Sequence, residues 1–125
     1  MTLKKITTPA VPEPPGGIYT NCFVLGGQVF MSGQVAAGDG MKAQARAVFT
    51  KVRHLLEAAG GSLSDVVKMT VYVTDMGKRA ELGEVRAEFF PGDQPCSTLV
   101  EVKALAMPEY VVEVDVTAII GAGRR

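Results

Sequence analysis

Cys96, Ser97 and Thr98 stand side by side after Pro95, and a carboxylate, Glu113, sits between valines near the end of the chain. An activated thiol or hydroxyl needs a base beside it. The lone histidine, His54, falls between core positions of a helical stretch, with no sequence reason to meet that run. Covalent catalysis is therefore not expected, and Cys96 reads as a small buried hydrophobe. Glu113 is either a solvated carboxylate on a strand or a group that moves a proton. Tyr19 offers a phenol for hydrogen bonding or an amphipathic aromatic at a subunit edge. Gly33 can bring a backbone N–H against a ligand oxygen, or merely allow a tight crossing. No metal site is expected, because neither Cys22 nor Cys96 belongs to a CxxC pair and the ligand clusters of zinc sites are missing.

The chain that carries these residues has 125 amino acids, enough for one domain over residues 1–125 with its own core. Its composition, 47% hydrophobic and 21% charged, is that of a globular protein. Formal net charge is zero, so the overall balance gives no basic footprint for nucleic acid, a local patch aside, and nucleic acid is not expected as a partner. No apolar run approaches the roughly 18–20 residues of a membrane span, and residues 1–10 lack the apolar centre of an export signal. The expectation is a cytoplasmic protein with both cysteines reduced.

Hydrophobic period places the elements. Four prolines and two glycines between Thr8 and Gly17 predict an irregular lead-in. Residues 22–25 and 28–32 read as strands joined by the hairpin signal Gly26-Gly27. Met41, Ala45, Val48, Val52, Leu55, Leu56 and Ala59 recur at steps of three and four, one face of a helix with Asp39 as N-cap and Gly60-Gly61 as its stop. Val67, Met69, Val71 and Val73 alternate with polar residues as a strand does. Leu82, Val85 and Phe89 mark a second helix ended by Pro91-Gly92. Two further strands are expected at 97–104 and 111–120, with Val112, Val114, Val116, Ala118 and Ile120 on one face and Glu113, Asp115 and Thr117 on the other. The order ββαβαββ is an α+β layout whose two helices cover one face of a single sheet. Leu99 and Ile119 are expected to break the polar pattern of the other face, which favours burial against another subunit.

Several segments in this order resemble the RidA/YjgF family, which includes enamine and imine deaminases and is also described as endoribonuclease L-PSP-like. They are SGQ at 32–34, EAAG at 57–60, DVVKMTVYVTDM at 65–76, AEFFP at 87–91 and the paired VEV segments at 100–102 and 112–114. The resemblance implies a chorismate-mutase-like fold, a homotrimer, no cofactor and a small-molecule pocket between subunits. Deaminating members add water to the C=N carbon of an unstable intermediate and release ammonia. Glu113 matches the family's water-orienting glutamate and Tyr19 a pocket tyrosine, while Gly33 lies within the SGQ tripeptide. The family's carboxylate-binding arginine corresponds to Ser97, a neutral hydroxyl, so Ser97 and Thr98 are expected to make neutral hydrogen bonds and small 2-imino acids to bind poorly. Arg86, where relatives often have tyrosine, is either a solvated helix residue or the absent cation supplied from another direction. The implied activity is a divergent deaminase or hydrolase; the alternative is a non-catalytic trimer that binds a metabolite or protein partner.

Overall fold

The computed structural model describes residues 1–123. Its elements run β1 (Lys4–Lys5), β2 (Cys22–Leu25), β3 (Gln28–Met31), α1 (Gly40–Ala58), β4 (Val66–Val73), α2 (Arg79–Phe89), β5 (Cys96–Glu101) and β6 (Val112–Ile119). The expected ββαβαββ order is present, with a two-residue strand added at the front. One six-stranded sheet has the order β1-β2-β3-β6-β4-β5. All neighbours are antiparallel except β4 and β5, which α2 connects as a parallel crossover.

The local signals explain the boundaries. Gly26 and Gly27 both take positive φ, 56° and 83°, between the paired Leu25 and Gln28, as a two-residue hairpin of primed type requires. At the end of α1, Gly60 adopts φ 92° while its N–H bonds Glu57 O and the Gly61 N–H bonds Leu56 O, satisfying carbonyls the helix leaves open. Asp39 occupies the N-cap position of α1 without a side-chain capping bond.

The core lies between the sheet and the helices. Val48, Phe49, Val52, Leu55 and Leu56 of α1 pack against Met69, Val71 and Val73 of β4 and Val112, Val114 and Ala118 of β6. Three expectations change. A register shift between Val66 and Lys68 puts Val66 in the core and leaves Val67 half-buried. β5 stops at Glu101, after which the Val102 N–H closes the ladder on Val73 O. Leu99 lies beside the core residue Val71 and packs under the helices, so it does not interrupt the uncovered face. That role falls to Phe30, Val100 and Ile119, which are 43%, 36% and 41% exposed.

Candidate functional site

Glu113 projects from β6 on the uncovered face, beside Tyr72 of β4. Its carboxylate lies on the α-carbon of Gly33: a Cβ built there would stand 2.8 Å from Glu113 Cδ and closer still to Oε2. Glycine at 33 is thus what lets Glu113 lie in this position, the tight-crossing alternative with a functional group on the far side. The segment is fixed on either side of Gly33. The Ser32 N–H bonds Asn21 O, and Gln34 exchanges both backbone bonds with Val114. Among the described residues the Gly33 N–H has no acceptor and the Glu113 carboxylate no donor. Burial first, and the Asp115 charge second, push the Glu113 carboxyl above the usual carboxylate range. The site therefore offers a poised proton acceptor next to an open backbone donor.

A shallow, mostly apolar hollow of about 360 Å³ is lined by Thr20, Phe23, Phe30, Met31 and Ser32, the last next to Gly33 in the chain. The Ser32 hydroxyl donates to Thr20 O, which draws the Tyr19–Thr20 segment alongside Ser32 and Gly33. Tyr19 is exposed there, available to a ligand or to a neighbouring subunit. Asp115, next on the same face, accepts from the Tyr72 hydroxyl at 3.2 Å.

Ser97 and Thr98 part company. Thr98 faces the open side next to Thr70, itself beside Asp115. Ser97 lies beside the core residue Met69, on the helix side of β5. Glu113 is two strands away and about three residues along, roughly 14 Å from Ser97 at ordinary strand spacing, and on the opposite face. A small molecule cannot touch both within one subunit.

Arg86 reaches Ser97 from α2: Nη1 donates to Ser97 Oγ at 2.9 Å, and Nε donates to Gln94 Oε1 at 3.3 Å. It is half-buried, unlike a fully solvated helix arginine. The sequence could show a cation at 86, but only the packing of α2 over β5 brings it to 97.

The cysteines take opposite roles from one another. Cys22 is buried, and burial followed by the Glu13 charge pushes its thiol up to about 11, far from a reactive thiolate. Cys96 is exposed, which corrects its reading as a buried hydrophobe. Residue 96 opens β5, the edge strand, and shares the uncovered face with Lys68. The two thiols lie on strands four places apart, roughly 19 Å at ordinary spacing, and are both free. His54 sits on α1, which packs on α2 and β6 rather than on β5. No group of three or more metal-ligating side chains occurs among the described residues.

Comparison with known proteins identifies the family and the fold. Residues 11–120 match the family model described as Endoribonuclease L-PSP. A RutC family protein of Pyrococcus horikoshii is 36% identical over 122 residues, spanning 90% of this chain and 94% of that protein. A Pseudomonas aeruginosa protein of unknown function superposes with a TM-score of 0.90 at 36% identity, covering 96% of this chain and 94% of the other. The RidA protein of an Antarctic Psychrobacter species gives 0.88 at 35% identity, covering 94% and 99%.

Proposed function

The chain belongs to the endoribonuclease L-PSP, or RidA/YjgF, family, and from that premise we propose that it is a divergent, cofactor-independent deaminase or hydrolase of an enamine, imine or related unstable metabolite. The observation that carries this reading is Glu113, a half-buried carboxylate with no donor among the described residues, laid on Gly33. A carboxylate with a raised pKa is a better base toward water at neutral pH than an ordinary glutamate.

In the proposed reaction Glu113 accepts a proton from water as the water oxygen bonds to the C=N carbon, and it passes that proton to the nitrogen. The tetrahedral carbinolamine then collapses: Glu113 relays the hydroxyl proton to the amine, the carbonyl forms as the C–N bond breaks, and ammonia leaves with Glu113 again a carboxylate. One water is consumed for each ammonia released. The Gly33 N–H holds a ligand oxygen and Tyr19 closes the pocket; Thr98, two strands from Glu113, lies too far along the sheet to join them within one chain. The approximately 14 Å between Ser97 and Glu113 supports a pocket built from two subunits of a homotrimer, with Ser97 of one chain brought near Glu113 of the next.

The test is ammonia release from freshly generated imines of 2-oxoacids and from larger uncharged imines, with Glu113→Gln as control. Turnover that exceeds the spontaneous rate and disappears in the variant is the expected result. A trimer that binds these compounds without turning them over would instead be a binding module, the reading that the replacement of the family arginine by Ser97 favours. Nuclease action finds no support in a chain of zero net charge.

A further inference from the structure

The charged side chains around the two helices are mostly neutralised. Lys42 pairs with Glu84, Arg46 with Glu88, Arg53 with Glu57 and Lys78 with Glu81, all of them well exposed. Arg86 differs from these cations. It is half-buried, and among the described residues no carboxylate pairs with it. Its partners are a hydroxyl and an amide oxygen, which orient the guanidinium without cancelling its charge. Burial alone acts on its acidity, lowering its pKa.

The donor count is specific. A guanidinium has five N–H groups. One on Nη1 goes to Ser97 and the one on Nε goes to Gln94, which leaves the second Nη1 hydrogen and both on Nη2. Because Ser97 Oγ accepts from Arg86, its own O–H remains available to donate outward. Charge, a planar fork and an additional hydroxyl donor converge on one exposed point at the start of β5. A carboxylate matches such a set, since both of its oxygens can be met at once.

We propose that Arg86 and Ser97 together form the site for a ligand carboxylate, the cation being carried by α2 instead of β5. Small 2-imino and 2-oxo acids thereby return to the ligand class of this protein. Ser97 does not stand in for a charge; it aims one. The placement of the reactive carbon near Glu113 of the adjoining subunit rests on the function proposed above, whereas the anion site itself does not.

The experiment measures binding of pyruvate and of pyruvamide, matched in shape and different in charge, to the full chain by calorimetry, with light scattering on each preparation. Wild type should prefer pyruvate by about 10- to 100-fold, the range expected of charge-assisted hydrogen bonds. Arg86→Met should abolish the preference, and adding Ser97→Arg to Arg86→Met should restore much of it. Ser97→Ala and Gln94→Leu alter exposed positions, and should each weaken pyruvate several-fold more than pyruvamide, so the proposal stays testable if Arg86→Met does not fold. Equal affinity of wild type for the two compounds, or an unchanged preference in Arg86→Met, overturns it. Glu113→Gln should leave the preference intact. Arg86-dependent preference without imine turnover would sink the catalytic reading and keep the anion site; turnover indifferent to Arg86 would do the reverse.

Discussion

At the scale of single residues, Glu113 and Gly33 form one unit. Glu113→Gln should lower turnover by roughly 10²–10⁴-fold, the usual contribution of a positioned acid–base group, while ligand affinity and assembly are retained. The same variant has a stability signature. The folded-state pKa of Glu113 is raised, so the folded chain holds its proton more tightly than the unfolded one between the ordinary and the raised value. Stability from this group is present below that window and lost as pH rises through it. Glu113→Gln should therefore melt higher than wild type at neutral pH, with the advantage shrinking in acid, as thermal melts across that range would show. Gly33→Ala should displace the carboxylate, so its loss of turnover should not add to that of Glu113→Gln; independent, multiplying effects in the double variant would dissolve the pairing. The open-face position of Glu113 was readable from the strand alternation, and its proposed role came from the family resemblance. The reason for Gly33 was not readable, because residues 80 apart meet only through the Gln34–Val114 bridge. Arg86 illustrates the same limit: its type was visible, and its partner depended on how α2 lies over β5.

At the scale of elements, sequence pattern located both helices and the five longer strands: the helices, β4 and β6 by a repeating buried face, and β2 and β3 by apolar runs around Gly26-Gly27, whereas β5 buries little beyond part of Leu99. Periodicity passed over Gln44, a polar side chain on the buried side of α1 with 1% exposure. Gln44 Nε2 donates to Gly38 O at 3.1 Å and to Glu109 O at 2.7 Å, and its Oε1 accepts from the Val111 N–H at 2.8 Å. These bonds clamp the loop from β5 to the start of β6, two residues before Glu113. A hydrophobicity pattern cannot see an amide buried because backbone groups satisfy it. Gln44→Leu should lower unfolding free energy by about 1–3 kcal/mol, the cost of leaving buried backbone groups unpaired. Denaturant melts check that figure. Turnover should fall as well, because the entry to β6 loosens; a full-stability Gln44→Leu protein would show that the clamp is redundant. The β4 irregularity at Val67 was hidden for a related reason, since a run of two valines fits either register.

At the scale of the whole molecule, the sheet has one face covered by helices and one that carries Phe30, Val100 and Ile119 together with Glu113 and Asp115. Apolar groups amid a polar face suit the homotrimer proposed above, and closed symmetry is the usual form of such assemblies. The separation of Ser97 from Glu113 on opposite faces gives the assembly a functional consequence, because the proposed pocket is incomplete in one chain. Native mass spectrometry should find a species three times 13.2 kDa. Ile119 pairs with Gln28 at the far end of β6 from Glu113, so Ile119→Asp puts a charge into the apolar patch without touching the Gly33 cradle. Desolvating an unpaired carboxylate costs several kcal/mol, on the order of what a modest interface supplies, so this variant should shift the population to monomer at micromolar concentration. Imine turnover should vanish with the trimer while the secondary-structure content of each chain persists. An active Ile119→Asp monomer would place the whole reaction within one subunit, and Glu113 would then have to work without the Arg86–Ser97 end of the sheet.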